Sequence, residues 1–406
     1  MIEAENSIDL LIMMVGAVVV LAMLVKALFE RLGVPSMVGY LLIGLALGAL
    51  DRRFGFLTPA IVEGLAFMAQ AGIVALLFRV GLESNPATLW RQLPRAGLGW
   101  IGSALPSGLL GYLTIRWLGY PLLPALFVGV ALSATSVGVV VSVWSEARAL
   151  DSDNGALLVD IAELDDLSGI LLMAVLLSLA GALYNGDGAS WTMIQGIGIE
   201  LVAKLALLAS LGFLFARYLE ARLTGWFVRL EPEPAPMLLV AGCGFMVAAF
   251  AGWLGFSLAI GGFFAGLMFS RDPEWVTIDR AFTTLSDFFG PFFFVGIGLT
   301  IDFDFLGPAI GLGCLLLLVG AFGKIVGTSL AIATTTGWVG GLLIGVSMVP
   351  RAEIAMIIMQ HGRNLGDWAV PDDLFGAIVF VALGSCLVTP LVMRQLLRKY
   401  SNDENR

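Results

Sequence analysis

The stretch AELDDLSGI, residues 162–170, sets Asp165 beside Asp166, and the uncharged run LLMAVLLSLAGALY follows at residues 171–184. Two adjacent carboxylates at the head of such a run suit neither a soluble core nor a lipid-facing helix, so the surroundings decide what they are for. The solvent comes first. A chain of 406 residues that is 59 % apolar and 13 % charged, with mean hydropathy +0.94, is a membrane protein. Apolar stretches of the roughly 20 residues needed to cross the ~30 Å hydrocarbon layer recur from end to end, which leaves no segment for a soluble domain. The start, MIEAENSIDLL, is acidic and lacks a small-residue cleavage site, so it reads as part of a retained first helix rather than a signal peptide.

The pattern predicts an all-α membrane protein of thirteen helices, at approximately 8–29, 35–50, 61–82, 94–116, 121–144, 155–183, 192–216, 236–254, 256–270, 282–300, 306–333, 338–360 and 372–396. Lys and Arg concentrate in cytoplasmic loops. With the N-terminus outside and the C-terminus inside, fourteen basic residues fall in cytoplasmic connectors, and only Arg52, Arg53, Arg116 and Arg363 fall opposite. Arg79, Lys204, Lys324 and Arg351 lie within spans. The net charge of −9 is then loop acid and no pointer to nucleic acid. Cys243, Cys314 and Cys386 sit singly in apolar helices and read as small buried hydrophobes.

The chain also repeats itself. An offset of 216 takes Gly129 to Gly345, Gly111 to Gly327 and Gly39 to Gly255, and one of 217 takes Gly81 to Gly298. The second helix therefore matches the ninth, seven crossings later, and an odd separation inverts the second copy. The two repeats span approximately 35–183 and 256–396. Inverted repeats mark secondary transporters, whose site lies near the midplane where interrupted helices meet. Interruptions are expected at corresponding places: at Ser133, Thr135, Ser136 and Gly138 in the fifth helix, whose hydroxyls compete for backbone groups, and at Pro350 in the twelfth.

Asp165 and Asp166 lie ten and eleven residues beyond Gly155, on the order of 15 Å along the sixth helix and thus near the bilayer midplane. Intramembrane acids are costly and mark function. Helical neighbours diverge by about 100°, so the two side chains serve different tasks. Lys324, mid-span in AFGKIVGTSL, also needs a counter-charge. A pair with Asp165 satisfies both groups and leaves Asp166 as the carrier. Asp160 and Glu163 read either as a cation-attracting funnel or as partners of Arg351. His361 and Arg363 fall at the outer end of the twelfth helix, where a lone His is usually solvated or hydrogen-bonded.

Six segments in order, VPSMVGYLLIGLALG, AGIVALLFRVGLESNP, LSATSVGV, LDDLSGILLMAVL, PFFFVGIGLTIDF and GVSMVPRAEIAMII, resemble successive signatures of the monovalent cation:proton antiporter superfamily, in its second, bacterial Kef/Nap-type subfamily. The likeness covers essentially the whole chain. It implies a sodium/proton antiporter fold with two broken, crossing helices, a six-helix core beside a dimerisation domain, and elevator-like exchange in a homodimer. It further implies that Asp166 binds cation or proton, that Asp165 pairs with Lys324, and that Thr135, with Ser136 and carbonyls of the broken helix, completes the cation site. Arg351 and Glu353 belong to the family's PRGE motif, in which Ala352 replaces glycine here. Arg79 replaces an apolar residue and is expected to pair with Glu83, one turn away. The chain ends ten residues after its last predicted helix, so no C-terminal nucleotide-binding regulatory domain is expected on it.

The function expected is therefore Na⁺ or Li⁺ exchange for protons by alternating access, with one transported cation held by Asp166, no cofactor, no enzymatic step and a multi-pass place in the inner (plasma) membrane. A cycle that moves one net charge draws roughly 2.3 kcal/mol for each 100 mV of membrane potential. K⁺/H⁺ exchange and a sodium-coupled solute symporter remain as alternatives. An intramembrane aspartyl protease is disfavoured, because it needs acids that face each other from different helices.

Overall fold

The structure is a computed structural model that describes residues 2–32, 34–83, 86–150, 152–184, 191–219, 222, 237–269, 275–301 and 306–404. Its described residues are helical, with no strand among them: α1 (Ile2–Leu32), α2 (Ser36–Phe54), α3 (Pro59–Glu83), α4 (Pro86–Trp117), α5 (Leu122–Ser133), α6 (Val137–Glu146), α7 (Asp153–Tyr184), α8 (Trp191–Leu214), α9 (Met237–Trp253), α10 (Leu258–Phe269), α11 (Trp275–Thr300), α12 (Leu306–Ser347), α13 (Glu353–Leu365) and α14 (Asp372–Glu404). Among the described residues seven helices contain a span long and apolar enough to cross a membrane, and four shorter apolar segments accompany them. Helices are required here, because in hydrocarbon every backbone donor and acceptor must find its partner within the chain. The connectors that hold Arg229 and Arg271 lie outside the described residues.

The chain divides into two compact units, and each draws helices from both halves of the sequence. The first unit comprises Met1–Phe29, Gly39–Pro86 and Gln195–Thr300. Lipid tails are as apolar as leucine, so burial alone does not drive helices together there, and close backbone approach through small residues takes over. Glycine supplies that approach. A Cβ on Gly81 would fall 2.0 Å from the Phe263 carbonyl oxygen of α10, and one on Gly266 only 1.9 Å from that of Phe78 on α3. Gly44 of α2 meets α11 in the same way, 2.2 Å from the Val295 oxygen. Phe78, Leu82, Val240, Met268 and Phe269 fill the space beside these contacts, and Lys26 of α1 pairs with Asp287 of α11 at 2.6 Å.

The second unit comprises Glu30–Val38, Ala87–Ile194 and Ile301–Arg406. Here α4 and α12 press backbone to backbone, since a Cβ on Gly327 would lie 2.1 Å from the Gly102 oxygen and one on Gly323 would lie 2.7 Å from the Ser107 Cα. The predicted fifth helix is broken into α5 and α6, with Ala134 extended at φ −68°, ψ 156°. The predicted twelfth is broken over residues 348–352, before α13 starts at Glu353. The predicted eleventh and twelfth helices meet within α12 at a kink, at Gly337, whose φ of 72° lies in the left-handed region open to glycine, so that α12 is two helices joined there, as the expected boundary between residues 333 and 338 requires. The cysteine reading needs correction. Cys386 is buried, but Cys314 is exposed and Cys243 only partly covered, because a lipid-facing position accepts a thiol as readily as a core does.

The glycine contacts carry a test. Gly266→Val should cost about 1–3 kcal/mol through overpacking, seen as a lower midpoint of thermal unfolding in detergent. Gly16→Val, where a Cβ meets nothing within 4 Å, should leave the midpoint unchanged, and equal midpoints for both variants would contradict this packing.

Candidate functional site

Breaking a helix inside a membrane exposes backbone groups that have lost their partners. The end of α5 has the carbonyls of Leu132 and Ser133 to satisfy, and two cations from the other half of the sequence do so. The Lys324 ammonium of α12 donates to Ser133 O at 2.6 Å. It also donates to Asp165 Oδ2 at 2.5 Å, Ser103 Oγ at 2.7 Å and Thr135 Oγ1 at 2.8 Å. Four oxygens thus surround a group with three hydrogens, and Lys324 and Asp165 are both fully buried, at 0 % exposure. The Arg351 guanidinium donates to Leu132 O at 3.0 Å, Gly320 O at 3.2 Å and Ser107 Oγ at 2.7 Å, and also to the Val349 carbonyl. Positive charge at a helix C-terminus is the sign that suits the macrodipole.

The two breaks are joined directly. The Ser136 N–H donates to Pro350 O at 2.8 Å, and Thr135 Oγ1 lies 3.2 Å from Met348 O. Proline removes a donor from the second break, and the first break supplies one to the proline's own carbonyl. Ser136 Oγ donates to Glu353 Oε2 at 3.2 Å, which sets a carboxylate in the first turn of α13, where the macrodipole favours it. Gly169 of α7 lies against this crossing, since a Cβ there would come within 3.1 Å of Ile354 and 3.5 Å of Ala134.

The two aspartates part company, as the turn between helical neighbours requires. Asp165 Oδ2 accepts from Ser103 at 2.9 Å, Thr135 at 2.7 Å and Lys324, while its Oδ1 is buried with no hydrogen-bond partner among the described residues. Asp166 is 9 % exposed, and its Oδ1 too is buried and without a partner. Glu353, Asp165, Lys324 and Glu163 are the charged groups whose fields reach Asp166. A carboxylate so placed holds an unfilled acceptor beside a satisfied ion pair.

Of the residues singled out by sequence, Asp165, Thr135 and Lys324 are in direct contact, Ser136 and Glu353 form a second contact, and Asp166 follows Asp165 on α7 within electrostatic reach of Glu353 and Lys324. Arg351 reaches helix carbonyls and a serine rather than Asp160 or Glu163 in the hydrogen bonds of its guanidinium. Glu83's side chain lies outside the described residues, so the Arg79–Glu83 pairing does too. Arg363 pairs with Asp372 at 2.6 Å, and His361 Nδ1 lies 2.9 Å from Ile357 O. In the loop before α5, burial first and then the Asp373 carboxylate push the Tyr120 phenol above its ordinary pKa. Sequence reasoning missed Ser103 and Ser107 of α4. Four residues apart, they share a helix face, and that spacing in a helix facing glycine-rich AFGKIVG was the available signal.

With this geometry in view, the similarities to known proteins fall into place. The sodium/hydrogen exchanger transmembrane family model matches residues 19–399, and the chain belongs to that family. It is 30 % identical over 357 residues to the high-affinity Na⁺/H⁺ antiporter NhaS3 of Synechocystis, covering 84 % of this chain and 73 % of that one. It is 26 % identical over 377 residues to an Na⁺/H⁺ antiporter of Enterococcus hirae, covering 92 % and 94 %. The solved structure of the sodium proton antiporter MjNhaP1 from Methanocaldococcus jannaschii superposes with a TM-score of 0.75 at 18 % identity, over 97 % of this chain and 99 % of that one, and shows that the fold is shared.

The buried pair yields a prediction about stability. Lys324→Ala strands the Asp165 carboxylate and should cost about 3–5 kcal/mol. Joining Asp165→Asn to Lys324→Gln should recover much of that loss. Additive losses in unfolding measurements on the two single variants and the double would show that the groups do not act as a pair.

Proposed function

We propose that this chain is a monovalent cation:proton antiporter that exchanges Na⁺ or Li⁺ for protons, and that Asp166 is the group that takes either ion. The observation that carries the reading is that, among the described residues, the buried Asp166 carboxylate has no ion-pair partner, whereas its neighbour Asp165 has Lys324. An ionised carboxylate there has no cation of its own, and an isolated charge in a low-dielectric site is costly. A proton or a small monovalent cation removes that cost, and the two cannot occupy the same oxygen together. If only the neutralised site crosses the barrier between the two sides of the membrane, the empty charged site stays behind and exchange is obligatory. The names carried by the cyanobacterial and enterococcal relatives, both Na⁺/H⁺ antiporters, support this reading.

The remaining groups take supporting roles. Thr135, Ser136 and carbonyls of the 134–136 and 348–352 breaks supply neutral oxygens to a cation on Asp166, and such hard ligands suit hard cations. Asp165 and Lys324 hold the first break together and, where cation binding loosens their pair, release a further proton, so that two protons move per cation and the cycle carries net charge. Arg351 and Glu353 fix the ends of α5 and α13. The protein works as a homodimer in the plasma membrane, oriented N-out and C-in, with the two inverted repeats exchanging access.

Proteoliposomes test the assignment. Cation-dependent proton flux should vanish in Asp166→Asn, and coupled flux that persists in that variant would falsify it. Competition also has a sign. As pH falls, protons occupy Asp166, so the apparent Na⁺ affinity in flux assays should fall by about tenfold per pH unit on the acid side. An affinity that does not change with pH would contradict a shared site. With Asp165→Asn the cycle should lose its sensitivity to membrane potential while exchange continues.

A further inference from the structure

The second unit holds a cavity of about 470 Å³ between α4, α5 and α7, within the roughly 300–1,000 Å³ of small-molecule sites. Its rim is Ile101, Leu105, Leu109 and Leu172, all of them exposed, and its floor is Gly108, Gly129, Val130 and Ser133. Gly108 and Gly129 let α4 and α5 meet at that floor, since a Cβ on either would come 2.9 and 3.0 Å from the other's carbonyl oxygen.

The cavity is not a requirement of the fold. At the offset of 216 residues, Trp100, Tyr112, Ile101 and Ser168 correspond to Leu316, Thr328, Leu317 and Gly384. Trp100 and Tyr112 are partly exposed, whereas Leu316 and Thr328 are fully buried at 0 %. Gly384 lets α14 close on α12, since a Cβ there would lie 3.0 Å from Leu317. In the first half a Trp100–Ser168 hydrogen bond of 2.9 Å stands at that place and spaces α4 from α7.

We propose that this cavity binds one acyl chain of a membrane phospholipid. The rim residues belong to helices that cross the bilayer, so the mouth opens on hydrocarbon and the surrounding medium is itself the ligand. Apart from the Tyr112 phenol, the polar side-chain atoms of the lining are already engaged. Ser133 Oγ donates to Val130 O at 2.7 Å, and Ser168 Oγ accepts from Trp100 and donates to Asp165 O at 3.0 Å. Water would need two to four polar partners there, and a polar ligand would strand its own donors. An empty void forfeits the dispersion contacts of every atom that lines it, and a flexible alkyl chain restores them. The chain would end against Ser133, the residue whose carbonyl receives Lys324.

The test is photolabelling of the full-length protein in vesicles of phosphatidylethanolamine and phosphatidylglycerol that contain a phosphatidylethanolamine with a diazirine in mid-acyl chain. Mass spectrometry of the parent should place the label on the floor, at Val130 or Ser133, as well as on the rim. Ala104→Phe, which fills the cavity from α4, should cut floor labelling on the order of tenfold, with a smaller cut in Ala104→Leu. Leu98→Phe, on the exposed face of α4 outside the cavity, should not change it. Label confined to the rim of the parent, as annular lipid or a covering second copy would give, overturns the proposal even where the filling variants do not fold. Floor labelling that survives both Ala104 variants also overturns it. None of these outcomes depends on cation exchange.

Discussion

One ammonium holds the transport region together. Lys324 Nζ lies within 2.8 Å of four oxygens that come from α4, from α7 and from the break after α5. In hydrocarbon an unsatisfied carbonyl has no water to turn to, so a helix can break there only if something else in the chain completes its end. Lys324 completes Ser133 and Arg351 completes Leu132. Both are paid for by fixed partners, which is why neither cation is open to solvent. The break in turn frees Thr135 and Ser136, residues that a continuous helix would have tied to its own backbone.

From that constraint the different fates of the two aspartates follow. Asp165 faces the ammonium and receives two hydroxyls as well. Asp166 is turned away from the ammonium and, among the described residues, has no ion-pair partner, although each of the two acids keeps one buried oxygen without a hydrogen bond there. A fixed pair and an unfilled acceptor on consecutive residues make a rigid reference and a variable charge. The chain belongs to the sodium/hydrogen exchanger family, and the proposal that a proton and a metal ion compete for Asp166 rests on this difference between the two acids.

Much of this was legible in the sequence because the membrane allows few alternatives. A charge in a 32-residue apolar helix such as α7 is costly without a partner, and Lys324 was one of four cations within spans, itself in need of a counter-charge. Pro350 marked one break through its missing donor, and the hydroxyl cluster at residues 133–136 marked the other. The parts that were not legible depend on direction. Ser103 and Ser107 are ordinary small residues until α12 is laid against α4, and only the Gly102–Gly327 approach turns them toward Lys324 and Arg351. Arg351 invited pairing with an acid, yet its geometry serves carbonyls, a choice that spacing along one helix does not encode. The boundary between the predicted eleventh and twelfth helices was legible too, because Gly337 and the three threonines before it mark the place where the helix path kinks.

The most direct measurement is proton release on cation binding. Purified protein in weakly buffered detergent solution receives Na⁺, and the change in pH is read against bound ²²Na⁺ over a range of starting pH. If one buried carboxylate accepts either ion, at least one proton leaves for each sodium bound where Asp166 starts protonated, and that release fades as the starting pH rises above that range. Sodium that binds without releasing protons at any pH would contradict the account.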